Sequence, residues 1–217
     1  MHLIRIAGVD VDRSFVRDKE VVSWKAGMTI DADGSPESYH PINKKGLDAH
    51  SSAGYPNGGW RNILAAKTKL SPAYIQREGE AAPGFFVSKT SYEHSEYNHL
   101  DTRRYVNAST VPYIVIPPQI ITRTQGIVLG CAGTITYKGK TIKAVVADIG
   151  PKVKIGEASI YAAMLLGIKS SPRVGGLSEH EVEYKIFPNI PAEVDGVKYK
   201  LIPARIRINR AGKTIIS

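Results

Sequence analysis

The chain has 217 residues, of which 42% are hydrophobic and 23% charged; this excludes a disordered protein and leaves one large globular domain or two small ones. Its formal charge of +9 raises nucleic acid as a partner, yet Lys and Arg are scattered and build no basic helix, zinc-finger spacing or RNP-type aromatic motif. No run approaches the ~20 apolar residues of a membrane span, and a single cysteine, Cys131, excludes an intrachain disulfide.

Residues 1–30 alternate enough to predict one or two strands. Asp10, Asp12 and Arg13 interrupt any signal-like apolar core, so the opening residues read as carrying no export signal, although a secreted protein trimmed of its leader looks the same. Residues 28–41 read as a strand running into an Asp/Gly/Pro loop. Asp31, Asp33 and Gly34 resemble the start of a calcium loop, but the downstream bidentate Glu is missing. GYPNGGW, 54–60, is a loop ending on Trp60. A short helix is predicted over 61–69 and a strand over 83–91. VPYIVIPP, 111–118, is an apolar, proline-bounded strand. GIVLGCAGTITY and TIKAVVADIG, joined at Lys138-Gly139-Lys140, form a hairpin. A helix is predicted over 157–166, with Ile160, Ala163, Met164 and Gly167 on one stripe and Gly167 as its C-cap. VEYKIFP and VKYKLIPARIRIN close the chain as strands.

The expected architecture is one mostly-β domain over 1–217, a barrel with one main helix. Cys131 sits in a strand-like run and reads as a small buried hydrophobe, not a nucleophile. The six histidines show no metal-ligand spacing; His94 and His99 lie in a polar loop. No metal and no cofactor are expected.

The most informative stretch is VVADIGPKVKIGEASIYAAMLLG, 145–167. An apolar run delivers Asp148 to an Ile-Gly-Pro turn, and Glu157 opens the predicted helix. Two carboxylates thus bracket one corner, as an acid/base hydrolase requires. Each is also ordinary in its place, Asp in a turn and Glu in a first helical turn.

ADIGPKVKIGEASIYAAMLLGI followed by SSPRVGG closely resembles the fungal-type endo-chitosanases, glycoside hydrolase family 75. IDADGSPESYHP, GLDAHSSAG, APGFFVSKTS and RYVNASTVPYIVIP are similar in the same order, so the resemblance spans about residues 28–188. It implies endo-cleavage of β-1,4 bonds in partly deacetylated chitin, with inversion, by Asp148 and Glu157 as the essential pair. It also implies that Asp31 and Asp33 line or brace the cleft. The strand–Asp–Gly-Pro–helix corner further looks like the core of double-psi barrels, which implies a six-stranded double-psi-like β-barrel with loop insertions.

Burial at the strand end is expected to raise the pKa of Asp148 and make it the acid. The helix N-terminus, with Lys154 nearby, is expected to keep Glu157 ionised as the base; the two roles can be exchanged. Tyr39, Trp60, Tyr55 and Phe86 are candidates for stacking on sugar faces. Asp48 is expected in an acidic cleft with Asp31 and Asp33. Ser88, Thr90 and Arg173 sit in family-like motifs and are expected to contact sugar hydroxyls, Arg173 alternatively pinning its own loop. The expected partner is a polysaccharide, chitosan or a related amino-sugar polymer, acted on by a monomer. The +9 charge repels a polycation and leaves room for an anionic cell-wall glycan. A lytic transglycosylase or other cell-wall glycosidase and a non-catalytic glycan-binding domain are the alternatives.

Overall fold

The computed structural model describes residues 1–203, 206–208 and 214–216. Its centre is a closed six-stranded β-barrel, made by β3 (Lys19–Asp31), β4 (Tyr113–Ile116), β5 (Cys131–Tyr137), β6 (Lys140–Ile149), β7 (Glu157–Ser159) and β8 (Leu177–Pro191). The strands run in the order β3-β7-β4-β6-β5-β8, and β3 pairs with β8 to close the ring. Two of the pairings, β3–β7 and β4–β6, are parallel, the mixed pattern of a double-psi-like barrel. Two further N-terminal strands, β1 (His2–Ile6) and β2 (Val9–Val16), extend the sheet from β3.

Strand alternation decides which residues fill the barrel. Along β3, Val22, Trp24, Ala26, Met28 and Ile30 are buried at every second position, as a pleated strand requires. Trp24 stands opposite Tyr184 of β8, and their rings stack with centroids 5.2 Å apart. The predicted hairpin is present as β5 and β6, turned by Lys138 and Gly139. Strand β4 is buried along its whole length, because it is covered on both faces.

Several sequence expectations change. Three strands, not one or two, precede residue 32. A second short helix, α1 (Pro118–Arg123), follows β4. Residues 61–69 hold the end of a 3-10 turn, Trp60–Asn62, and isolated bridges at Leu64 and Ala66 instead of a helix, and 83–91 makes isolated bridges instead of a regular strand. Of the closing segment, only Val197–Lys198 and Ile206–Ile208 are strand, while residues 204, 205 and 209 lie outside the described residues. The 157–166 helix begins later than predicted. Glu157–Ser159 is strand, and helix α2 spans Ile160–Leu166, with Ser159 accepting from Ala162 N as N-cap. Its buried residues are Ala162, Ala163 and Leu166, while Met164 is exposed, so the predicted stripe was rotated. Gly167 does cap it in the left-handed region, at φ 74°.

The segment 32–112 between β3 and β4 covers one outer face of the barrel. It contains only bridges and 3-10 turns, and packs around two small clusters, one with Tyr39, Leu64 and Phe86, the other with Ala65, Val87 and Tyr105. Among the described residues, no helix is long and apolar enough to cross a membrane.

Candidate active site

The register places four outward-facing residues in one row across adjacent strands. Thr29 of β3 pairs with Glu157 of β7, Glu157 with Val115 of β4, and Val115 with Asp148 of β6. Glu157 and Asp148 therefore flank Val115 on the same face. Two strand spacings put their Cα atoms about 10 Å apart.

Asp148 reaches that face through a β-bulge. Ile114 pairs with Val146, but the next residue, Val115, pairs with Asp148. Ala147 is the extra residue. Without it, alternation turns Asp148 toward the barrel interior. The Ala147 carbonyl is free to accept from Tyr92 N at 2.8 Å, which docks the segment 88–92 onto the bulge. The neighbouring Ser91 then donates to Asp148 Oδ1 from its backbone N at 2.8 Å and from Oγ at 2.6 Å.

A cleft of about 620 Å3 lies between this barrel face and the 32–112 segment. Asp31, Asp33, Asp48, Asp148 and Glu157 line it, with Lys89 and Lys154. The DADG turn brings in the aspartates. Asp31 Oδ1 accepts from Asp33 N at 2.9 Å, and Oδ2 accepts from the Tyr113 hydroxyl at 3.0 Å. Asp33 Oδ1 accepts from the Tyr39 hydroxyl at 2.9 Å and from Ser88 Oγ at 3.0 Å. Gly34 completes the turn at φ 77°, where a Cβ would collide with the Val106 carbonyl.

Burial dominates the electrostatics. Asp31 is held well above the ordinary carboxylate range by burial first, then by the charges of Glu157 and Asp148. Asp33 is raised likewise by burial, then by Asp31 and Asp148. Asp148 is pushed up to about 6 by burial, against the opposing hydrogen bonds from Ser91. That is the direction expected from its strand-end position. The structure places Glu157 differently from the sequence expectation. It lies in strand β7, ahead of α2 instead of opening it. Its counter-charge is Lys154, whose Nζ lies 2.6 Å from Oε1.

Oxygens of Asp31, Asp33 and Asp148 all lie within 4.8 Å of one another, the separation at which carboxylates can share a cation. Both Asp31 oxygens and one oxygen of each partner already accept protein hydrogen bonds.

The other predicted site residues divide. Tyr39, Asp48 and Thr90 line the cleft with the carboxylates. Tyr39 is buried and works as a hydrogen-bond donor to Asp33, so it offers no ring face to a sugar. Thr90 donates to the Tyr92 carbonyl and accepts from Val106 N, which spends its hydroxyl on the loop. Ser88, Trp60 and Arg173 are not in the cleft wall. Ser88 is fully buried and braces Asp33 from behind. Trp60 packs edge-on against Tyr55 with Arg61 over its ring; Tyr55 in turn lies against Phe86, which is buried. Arg173 donates to the carbonyls of Asn43, Gly46 and Asp48 and so pins the 43–48 loop, through carbonyls and not through a carboxylate. Sequence reasoning missed Ser91, Tyr113 and Lys89 as parts of this site. Ser91 sits inside the quoted APGFFVSKTS motif, but nothing local marks it as the neighbour of a residue 57 positions away.

Compared with known proteins, the chain matches no family model, and no curated protein matches it.

Proposed function

We propose that this protein is an endo-acting, inverting glycoside hydrolase that cleaves β-1,4 bonds in chitosan or a related amino-sugar polymer. The observation that carries the reading is the row Glu157–Val115–Asp148, two carboxylates on one face of one cleft, two strands apart. The resemblance of the ADIGP and KIGE motifs to the family 75 endo-chitosanases supports the same pair. Inverting enzymes hold their two carboxyl groups roughly 6.5–9.5 Å apart, leaving room for a water. Side chains rising from Cα atoms about 10 Å apart fall naturally into that range.

Asp148, at about 6, retains its proton in mildly acidic solution and serves as the acid. It gives that proton to the glycosidic oxygen as the C1–O bond breaks. Glu157, ion-paired with Lys154, serves as the base. It takes a proton from water as the new C1–O bond forms on the opposite face. Solvent exchange returns both groups to their starting states. Asp31 and Asp33, largely buried in the same cleft wall, shape the site without needing to contact the scissile bond.

The test is hydrolysis of partly acetylated chitosan, with product size and anomeric form followed by mass spectrometry and proton NMR. The reading expects oligomers that appear first as α-anomers, and none from Asp148→Asn or Glu157→Gln. Near-normal activity in either variant, or no release by folded wild type, overturns it.

One observation favours a second reading. The net charge of +9 repels a polycation at long range and suits an acetylated or anionic cell-wall glycan, whereas the cleft wall itself carries more carboxylates than lysines. Products ending in an anhydro-sugar from peptidoglycan identify that lytic chemistry.

A further inference from the structure

Asp148 has two carboxyl oxygens in unlike surroundings. Oδ1 receives two donors from a single residue, Ser91 N at 2.8 Å and Ser91 Oγ at 2.6 Å. The Ser91 hydroxyl spends its one proton there, and its oxygen accepts from Ile149 N at 3.2 Å, so its orientation is fixed from both sides. Oδ2 has no hydrogen-bonded partner among the described residues. A proton on Oδ1 would face two donors and is strongly disfavoured.

We propose that Ser91 is the positioning residue of the general acid, holding Oδ1 of Asp148 as an acceptor and so confining the acid's proton to Oδ2. The inference rests on the acid role given to Asp148 above. Ser91 does not touch the reacting atoms; it acts through Asp148. It also sets how acidic Asp148 is, because both of its hydrogen bonds favour the carboxylate against the upward pull of burial. The bulge at Ala147 and the docking of Tyr92 N onto its carbonyl are what bring Ser91 within reach. Bulge, docked loop and serine form one device that turns a buried strand-end aspartate into an oriented acid.

The experiment is Ser91→Ala, read in two ways. The first is the pH profile of kcat/KM on chitosan, whose basic limb reports the acid. Removing the hydroxyl takes away a bond that favours ionised Asp148, so the limb moves to higher pH, by about one unit for one lost hydrogen bond to a charged group. The second is the carboxyl carbon-13 NMR titration of Asp148, which needs no substrate and is expected to move in the same direction. Ser91→Thr keeps the hydroxyl and is expected to restore both. If Ser91→Ala folds poorly, Ser91→Cys keeps the volume with a weak donor and reads the same two quantities. A slower variant whose basic limb and Asp148 titration stay at their wild-type values overturns the proposal, leaving Ser91 a structural serine. Loss of the chitosan reading alone leaves the NMR arm intact, so the two failures are distinguishable.

Discussion

The two walls of the cleft are built on different physics. The barrel wall is a closed ring of strands around one large apolar cluster, with side chains placed by pleat and register. The facing wall, residues 32–112, has almost no regular structure and two small clusters. Its shape comes from turns and from side chains that bond to backbone, such as Arg173 on three carbonyls and Gln76 on those of Pro36 and Phe86. The barrel supplies Asp148 and Glu157 at fixed spacing. The insert supplies Asp33 and the donors Ser91, Tyr39 and Ser88 that hold Asp148 and Asp33. Precision comes from the sheet, and electrostatic tuning comes from the loops laid against it.

The largest expected effects strike the barrel wall. Asp148→Asn and Glu157→Gln should each lower kcat by about 10²–10⁴-fold, the usual worth of a general acid or base, with circular dichroism and melting unchanged. Lys154→Met removes the cation 2.6 Å from Glu157 and is expected to cost less, about tenfold in kcat/KM, with the fold retained.

A second group of variants strikes the insert, and separates fold from chemistry. Gly34→Ala places a Cβ at φ 77° against the Val106 carbonyl and should destabilise by about 3 kcal/mol or more, measured by urea unfolding. Arg173→Ala frees the 43–48 loop. Because the side chain is largely exposed, the expected cost is only about 1 kcal/mol, with faster hydrogen exchange confined to that loop. A global loss of stability in Arg173→Ala would show that insert and barrel are one cooperative unit.

The smallest effect is one of sign. Asp33 is raised well above its ordinary value in the folded state, mainly by burial. At low pH it is protonated whether the chain is folded or not, and it costs nothing. As pH rises past its unfolded pKa of about 3.9, only the unfolded chain ionises freely, so stability falls until the folded pKa is passed. Asp33→Asn keeps an acceptor for Tyr39 and Ser88 and removes the charge. It should raise Tm at neutral and higher pH, by about 2–4 °C for each kcal/mol recovered, and change little below about pH 4. A gain that persists undiminished at low pH breaks the argument.

What was legible in the sequence follows this division. Apolar alternation and the Lys138-Gly139 turn announced the β5–β6 hairpin, and an apolar run bounded by prolines announced β4, because those signals are local. The run from Ala144 to Asp148 pointed to a buried strand-end carboxylate, and the shift of Asp148 to about 6 follows from that burial. The insert was misread where its residues have strand-like or helix-like composition but make no continuous ladder or helix: 61–69 holds the end of a 3-10 turn and two isolated bridges, and 83–91 isolated bridges.

Three decisions belong to the tertiary structure. The extra residue at Ala147, invisible as a pattern, is what turns Asp148 outward. Pairing with Thr29 and Val115 draws Glu157 into a strand that its neighbours' helical spacing did not suggest, where Lys154 forms an ion pair with it. The approach of residues 88–92 to the bulge gives Asp148 its hydrogen-bonded partner. The sequence by itself determined which residue types are present and which segments are apolar enough to be strands. Which carboxylates meet, and which of their atoms are left without a hydrogen-bonded partner, was decided by register and by loop docking, because both depend on contacts between residues far apart in the chain.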